Sequence, residues 1–280
     1  MIRLVSGCKI NIGLHVAGRL PDGYHELETL FYPLAWPADE LRLAPTGRHE
    51  IRILCKDPAL AGPKNILARA WRALEARTGR CPGLDLTLVK RVPAGAGLGG
   101  GSANAAALLL WLNRSLCLPQ EELAEIAARL GADVPFFLVN RPCLARGIGH
   151  RLKPVPFEGQ GQHLVLVWPG IHIDTAWAFR AWDNENLLTK PCAAARNSNS
   201  VGARPQYLND LEQPVFACHP GLAEIKATLL DLGARSASMS GSGSSIFGIF
   251  AESKNAARAA GILRRKWPRV YTQELRNFGM

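Results

Sequence analysis

A glycine-rich run in the first half of the chain constrains its fold and function more than any other feature. The run spans residues 93–107 and places five glycines in the seven positions 95–101. Alternating apolar residues at 84–88 predict a strand before it, and the alanine- and leucine-rich segment opened by Ser102 predicts a helix after it. Glycines let backbone N–H groups converge on a ligand, and a helix start adds unpaired N–H donors. The run therefore predicts an anion site suited to a di- or triphosphate.

Three common nucleotide-binding patterns share glycines with this run, and each fails on its context. Gly95, Gly97 and Gly100 match the GxGxxG spacing of dinucleotide-binding folds, which also need an acidic residue about 20 residues on, at the end of a second strand. The acidic residues at that distance, 121 and 122, fall instead in the first turn of a predicted helix. The GK[ST] ending of P-loops is absent, as are the HRD and DFG motifs of protein kinases. A plain glycine-rich turn is disfavoured because this many glycines would cost chain entropy without a ligand.

Predicted strands and helices alternate in both halves of the chain, which indicates a two-domain α/β (α+β) fold. Apolar residues at helical spacing over 67–74 predict a helix that Gly79 ends. A helix that follows residue 119 has one apolar face and stops at Gly131, and a helix at 222–232 stops at Gly233. The stretch 141–163 is rich in proline, glycine and basic residues, so we place the boundary near its end. The sequence therefore predicts domains at 1–160 and 161–280. Residues 190–206 are polar and proline-punctuated, which predicts a loop.

Composition excludes several classes of protein. Of the 280 residues, 48% are apolar and 20% charged, which is typical of globular chains. No apolar run reaches the roughly 20 residues that cross a bilayer, and the start lacks a signal peptide, so we expect a cytoplasmic location and no membrane partner. Seven scattered cysteines without CxxC spacing predict reduced thiols rather than a metal site. The net charge of +10 suits anionic partners, but no nucleic-acid reader motif accompanies the basic C-terminal cluster, so nucleic acid is not expected.

The glycine–serine run resembles the motif of the GHMP superfamily, which includes galactokinase and the homoserine, mevalonate and phosphomevalonate kinases. A second glycine segment, 238–245, is similar to the C-terminal glycine loop of that superfamily. Segments 9–11, 23–25 and 130–135 resemble the branch that phosphorylates the 2-hydroxyl of 4-diphosphocytidyl-2-C-methyl-D-erythritol in non-mevalonate isoprenoid biosynthesis. One departure is Ala103, where that branch often has a second serine, which puts one hydroxyl contact in question.

This resemblance implies an ATP-dependent small-molecule kinase with a two-domain GHMP architecture and a ferredoxin-like C-terminal domain. ATP and Mg²⁺ would be its cofactors, and its partner would be a small-molecule substrate with a cytidine diphosphate group. Two alternatives stay open at this point. One is a GHMP kinase that acts on mevalonate or homoserine, and the other is a non-catalytic nucleotide- or RNA-binding protein of related fold. The sequence does not indicate an oligomeric state.

The catalytic residues that the resemblance implies are Asp133 and Lys9. Asp133 would accept the proton of the attacking hydroxyl. Lys9 would pair with Asp133, and a cation close to a hydroxyl favours its ionised form. From local sequence alone, Asp133 fits equally well as a turn residue bonded to its own backbone, and Lys9 as a surface residue of a strand.

The resemblance also implies two sets of binding residues. The ATP-binding set consists of Pro93, Ala94, Gly95, Ala96, Gly97, Leu98, Gly99, Gly100, Gly101, Ser102, Asn65, Leu67 and Lys90. The substrate-binding set consists of Asn11, Tyr24, His25, Thr175, Phe179, Gly241 and Ser242, with His25 bonded to the cytosine and Tyr24 stacked on it. Tyr24 and Phe179 also fit ordinary core aromatics, and 241–244 a tight turn between strands. No protein metal ligand is predicted, because Mg²⁺ keeps several waters; Ser102 fits either a ligand or a phosphate contact.

Overall fold

The computed structural model describes residues 1–187, 208–267 and 269–276, so the loop predicted at 190–206 lies outside the described residues. The chain forms two compact units, each assembled from several segments. The first unit comprises Met1–Lys9, Pro33–Pro93 and Gly99–Arg141, and the second comprises Ile10–Tyr32, Ala94–Leu98 and Pro142–Met280. The glycine run is therefore divided, with 94–98 in the second unit and its remainder in the first. The single boundary near residue 160 stays a prediction.

Helices and strands follow one another along the whole described chain. In order they are β1 (Ile2–Arg19), β2 (His25–Thr46), β3 (Ile51–Cys55), α1 (Ile66–Thr78), β4 (Gly83–Val89), α2 (Gly100–Leu116), α3 (Gln120–Leu130), α4 (Val134–Val139), β5 (Cys143–Gly147), β6 (Arg151–Pro154), β7 (His163–Trp168), α5 (Thr175–Leu187), α6 (Glu212–Cys218), α7 (Pro220–Asp231), β8 (Ser236–Met239), β9 (Ile246–Phe250), α8 (Ser253–Leu263) and β10 (Arg269–Glu274). In the described chain, no helix is long and apolar enough to cross a membrane.

The first unit combines a mixed sheet with four helices. Strand β4 pairs in parallel with β3 on one side and antiparallel with the C-terminal half of β2 on the other. The leucines of β4 are buried while Asp85 and Thr87 between them are partly exposed, as the alternation in the sequence predicts. Helices α1 to α4 pack on one another, and the alanines and leucines of α2 are mostly buried. The glycine run thus leads into a helix about half of whose residues are buried.

The second unit contains an antiparallel sheet with the strand order β10-β7-β9-β8. Helices α7 and α8 pack on this sheet, and their apolar residues form a core with buried residues of β7 and β9. With α7 and α8 as the two helices on the sheet, the order β7-α7-β8-β9-α8-β10 is the ferredoxin-like arrangement, to which α5 and α6 are added between β7 and α7. This confirms the predicted C-terminal fold. The N-terminal half of β2 pairs with β5 in the same unit, and β5 pairs with β6.

Glycines end the helices where the sequence predicts an end. Gly79 caps α1 in the left-handed conformation at φ 62°, and Gly233 follows α7 at φ 94°. Gly131 ends α3 with an extended backbone. The helix after the glycine run begins at Gly100, two residues earlier than predicted, so two of the glycines lie within its first turn.

Candidate active site

The start of α2 offers backbone donors that the protein does not cap. Gly99 is the residue before the helix, it has φ 66°, and no side chain forms a capping hydrogen bond there. Ser102 lies in the first turn. An uncapped helix start combines unpaired N–H groups with a partial positive charge, so this end of α2 is suited to bind an anion.

Lys9 and Asp133 form an ion pair in the first unit. The Lys9 side chain is only 6% exposed, and its Nζ lies 3.5 Å from Oδ2 of Asp133, whose side chain is 29% exposed. A Cβ placed on Gly99 would lie 3.2 Å from Lys9 Cε and 3.2 Å from Phe137 Cε2. The absence of a side chain at Gly99 therefore lets the start of α2 pass closely over the buried lysine.

The Asp133 carboxylate is not used to cap a helix. Asp133 immediately precedes the short helix α4, yet its side chain makes no capping hydrogen bond. The alternative of a turn aspartate bonded to its own backbone therefore has no support in the geometry. A partly exposed carboxylate beside a buried cation is an arrangement that can take up a proton from a bound hydroxyl.

Lys90 contacts a buried carboxylate that the sequence analysis missed. Asp39 is fully buried, and its Oδ2 accepts hydrogen bonds from Lys90 Nζ and, at 2.9 Å, from Asn104 Nδ2. Its Oδ1 accepts from the backbone N–H groups of Arg91 at 2.7 Å and Val92 at 2.8 Å. Asp39 therefore ties the segment 90–92 to helix α2 through Asn104. No local pattern marks Asp39, because its partners are distant in sequence.

Asn65 and Leu67 have structural contacts of their own. Asn65 caps α1, with its Oδ1 accepting a hydrogen bond from Leu67 N at 2.8 Å and its Nδ2 donating to Leu60 O at 2.5 Å. The Leu67 side chain is fully buried. Their contacts with ATP stay a prediction.

In the second unit, segment 94–98 packs on the C-terminal glycine loop. Ser240 Oγ donates a hydrogen bond to Gly97 O at 3.0 Å, and Ser245 N donates to Ala96 O at 3.2 Å. A Cβ on Gly97 would lie 2.0 Å from Ser240 O. Asn11 also reaches this loop, because its backbone N donates to Ser240 Oγ at 3.2 Å.

The glycine loop gathers further residues of the predicted substrate set. The Thr175 and Ser242 hydroxyls lie 2.9 Å apart. A Cβ on Gly241 would lie 3.1 Å from Asn11 Oδ1. Asn209 was missed by the sequence analysis; it is buried, and its Nδ2 donates to Met239 O at 2.8 Å and to Gly241 O at 2.7 Å. Asn209, which no sequence motif indicates, thus holds the backbone of this loop through two hydrogen bonds.

His25 lies in an aromatic cluster of the second unit. Its ring stacks on Phe179 with centroids 4.7 Å apart and an interplanar angle of 19°, and it meets Trp182 edge-on at 5.9 Å. Its Nε2 lies 2.8 Å from Oδ1 of Asp183, a residue that the sequence analysis did not single out. Tyr24 is 61% exposed, which excludes the alternative of a core aromatic and leaves its ring open to a ligand.

Among the described residues, no group of three or more His, Cys, Asp or Glu side chains is placed to hold a metal ion. Mg²⁺ commonly binds through one or two protein ligands together with phosphates and waters. A Mg²⁺ ion that arrives with a nucleotide does not need a preformed cage, so this geometry is compatible with one.

We expect Gly97→Ala to lower the free energy of unfolding by about 2–4 kcal/mol, because a left-handed residue with a Cβ costs about 1–2 kcal/mol and the contact with Ser240 O adds to it. Gly97 has φ 74°. Urea unfolding followed by circular dichroism measures the change. Gly261→Ala is the control, since Gly261 lies in helix α8 with no atom within 4 Å of an added Cβ. The control should gain about 0.5–1 kcal/mol. Equal stability of both variants would contradict the crowding at Gly97.

Comparison with known proteins places the chain in a family. Residues 65–141 match the model of the GHMP kinases N terminal domain, and residues 193–269 match GHMP kinases C terminal. The 4-diphosphocytidyl-2-C-methyl-D-erythritol kinase of Oleidesulfovibrio alaskensis is 41% identical, covering 91% of this chain and 92% of its own. The kinase of the same name from Solidesulfovibrio magneticus is 42% identical, covering 96% of this chain and 95% of its own.

Solved structures agree with these relatives. A crystal structure of 4-(cytidine 5'-diphospho)-2C-methyl-D-erythritol kinase matches with a TM-score of 0.78 at 37% identity, covering 97% of this chain and 98% of that chain. Homoserine kinase from Cytophaga hutchinsonii matches with a TM-score of 0.72 at 19% identity, covering 98% of this chain and 95% of that chain. At that identity the second likeness shows the fold alone.

The ferredoxin-like sheet, the two matched domains and the glycine run at a helix start define a GHMP kinase, an enzyme that transfers a phosphoryl group from ATP to a small molecule. Within that class, the chain belongs to the 4-diphosphocytidyl-2-C-methyl-D-erythritol kinase family. The predicted fold and the predicted ATP-dependent kinase activity are thereby confirmed. The mevalonate, homoserine and non-catalytic alternatives are disfavoured.

Proposed function

We propose that the protein transfers the γ-phosphoryl group of ATP to the 2-hydroxyl of 4-diphosphocytidyl-2-C-methyl-D-erythritol. The ion pair between Lys9 and Asp133 is the observation that carries this proposal, because it joins a buried cation to a carboxylate that caps nothing. The names of the relatives support the choice of substrate. Phosphoryl transfer depends mainly on positioning and charge neutralisation, and this pair supplies both to one hydroxyl.

In the proposed mechanism, Asp133 accepts the proton of the 2-hydroxyl as its oxygen attacks phosphorus. Lys9 holds the Asp133 carboxylate in place and adds a positive charge that favours the ionised form of the attacking oxygen. The Lys9 side chain is buried, so this charge is screened less by water than it would be on the surface. The proton moves to Asp133, and the γ-phosphoryl group moves from ATP to the substrate oxygen as its bond to the β-phosphate oxygen breaks and ADP leaves.

The proposed ATP site is built on residues 93–102, with Asn65, Leu67 and Lys90 contributing to it. The uncapped start of α2 would bind phosphate oxygens through its backbone N–H groups. Mg²⁺ would arrive with ATP and neutralise phosphate charge, and the Ser102 hydroxyl would bind either the ion or a phosphate. The residues of this site would supply orientation, and a bound Mg²⁺ ion would supply charge neutralisation.

In the proposed substrate site, the aromatic cluster binds the cytosine and the glycine loop binds the rest of the substrate. Tyr24 offers an exposed ring for stacking, and His25 offers a ring nitrogen. Asn11, Thr175 and Ser242 supply polar groups at the loop. A cytoplasmic location and the absence of nucleic-acid and membrane partners remain predictions from the sequence.

The experiment that tests this function measures ADP release from ATP and Mg²⁺ with three substrates offered in parallel. We expect turnover with 4-diphosphocytidyl-2-C-methyl-D-erythritol and none above background with mevalonate or homoserine. Turnover only with mevalonate or homoserine would overturn the substrate assignment and keep the kinase fold. ATP binding without turnover on any of the three would overturn the proposed function altogether.

A further inference from the structure

Asp183 is a buried acidic residue to which the proposed mechanism gives no role. It lies in helix α5, and only 6% of the residue is exposed. Its Oδ1 lies 2.8 Å from His25 Nε2, and its Oδ2 lies 3.9 Å from an Arg19 guanidinium nitrogen. Because Asp183 and His25 are both buried, little water competes for the hydrogen bond between them.

The His25 ring is fixed in orientation as well as in position. Phe179 stacks on one face of it, and Trp182 contacts it edge-on. Because Nε2 contacts Asp183, Nδ1 is the ring nitrogen that remains for another partner. In the part of the chain that the structure describes, Nδ1 makes no hydrogen bond. The cluster therefore leaves one nitrogen of a rigidly held imidazole for a ligand.

The partner at Nε2 determines what Nδ1 can do. An ionised carboxylate only accepts hydrogen bonds, so Nε2 must carry the hydrogen. In a neutral imidazole the second nitrogen then presents a lone pair and acts as an acceptor. A guanidinium nitrogen of Arg19 lies 3.9 Å from the other carboxylate oxygen, Oδ2, so Oδ1 remains the oxygen that contacts His25.

We propose that Asp183 is a positioning residue that sets the base preference of the enzyme by holding His25 Nδ1 as a hydrogen-bond acceptor. The proposal rests on the proposed function, in which His25 contacts the cytosine. Cytosine carries an amino donor at position 4, whereas the carbonyl at position 4 of the uracil and thymine type is an acceptor. An acceptor that faces a carbonyl leaves both groups without a partner, so the site rejects a uridine nucleotide.

Direct binding of CDP and UDP tests this inference without relying on turnover. By isothermal titration calorimetry we expect the wild-type enzyme to bind CDP about tenfold or more tightly than UDP. In Asp183→Asn and Asp183→Ala the two affinities should come within about twofold of each other, because an amide or a methyl group no longer selects one imidazole tautomer. A merely structural role would weaken both ligands equally and leave their ratio unchanged.

Asn184→Ala is the matched control, since Asn184 is the next residue of α5 and its side chain is exposed. Its CDP to UDP ratio should equal that of the wild type. Thermal midpoints verify that each variant is folded, and Asp183→Asn keeps the shape of the side chain if Asp183→Ala unfolds. With the cytidine substrate, both Asp183 variants should raise KM by about tenfold and change kcat by less than about threefold.

Failure of this inference differs from failure of the proposed function. An unchanged CDP to UDP ratio in both variants, or no preference in the wild type, overturns the role of Asp183 while ADP release from the cytidine substrate continues. A wild type that binds neither nucleotide also overturns it. The proposed function fails only if the wild-type enzyme releases no ADP with the cytidine substrate.

Discussion

Asp133→Asn is expected to lower kcat for ADP release by about 10²- to 10⁴-fold, the range over which a general base contributes. The amide has the shape of the carboxylate but does not take up the proton of the attacking hydroxyl. The affinity for ATP should stay within about threefold, because the nucleotide phosphates are proposed to bind at the start of α2. Steady-state ADP release gives kcat, and calorimetry with a non-hydrolysable ATP analogue gives the affinity.

The control for this variant is Glu125→Gln in the neighbouring helix α3. Glu125 pairs with Arg129 on the surface, and its side chain is 71% exposed, so its kcat should match that of the wild type. An Asp133→Asn enzyme with wild-type kcat would assign the proton transfer to another group. One that loses ATP affinity together with kcat would show a disturbed loop rather than a missing base.

A variant of the partner cation extends the same test. Lys9→Met keeps a long side chain at the buried position but removes its charge. If the two residues act as a unit, the double variant of Lys9 and Asp133 should be no slower than the slower single variant. Multiplicative losses would instead indicate that Lys9 and Asp133 act independently, and the proposed pairing would then be wrong.

Local signals in the sequence predicted the long, regular elements. The alternation at 84–88 predicted β4 because one face of that strand is buried. Helices α1 and α3 were predicted by their apolar spacing and by Gly79 and Gly131 at their ends. The residues that determine each of these elements lie within one short stretch of sequence.

The short elements escaped prediction because tertiary contacts define them. Strands β5 and β6 lie in the proline- and glycine-rich stretch that suggested a boundary region, and β6 is largely exposed, so it shows no burial alternation. β5 forms by pairing with β2, and Arg146 reaches Glu28 across 118 positions of sequence. Helix α4 has only six residues, too few for helical periodicity to be recognised.

Site residues whose partners are distant in sequence likewise carry no local signal. Only the family resemblance predicts roles for Lys9 and Asp133, since neither position carries a decisive local pattern. Asp183 was missed because a single acidic residue inside a helix is usually solvated, and its partner His25 lies 158 positions away. A buried carboxylate becomes recognisable only when the fold brings its donors together.

Asp39 is the buried carboxylate with the largest expected effect on stability. Asp39→Ala should lower the free energy of unfolding by about 3–5 kcal/mol, the range for removing one partner of a buried ion pair. Its carboxylate accepts bonds from the Lys90 ammonium group, two backbone N–H groups and the Asn104 amide. Without Asp39, these donors lose their acceptor in a region with little water. Urea unfolding followed by circular dichroism measures the loss.

Asp85→Ala is the control. Like Asp39, Asp85 accepts a hydrogen bond from a cationic side chain, that of Arg48, but both of these side chains are 44% exposed. Such a surface pair is worth no more than about 1 kcal/mol. If Asp39→Ala does not fold, Asp39→Asn is the second variant, because it keeps the side-chain shape and part of the hydrogen bonding. It should fold, and its loss of unfolding free energy should exceed that of Asp85→Ala. An Asp39→Ala enzyme as stable as Asp85→Ala would contradict the role of Asp39.

The identity of the lost donors provides a second test of Asp39. In Asp39→Ala, the additional change Lys90→Met removes the unpaired ammonium group, so the double variant should be less destabilised than the sum of the two single changes. Additive losses would mean that Asp39 acts through the backbone of 91–92 and Asn104 alone.

Since the same carboxylate ties segment 90–92 to α2, variants that fold should also bind ATP more weakly, and their affinity for CDP should remain unchanged.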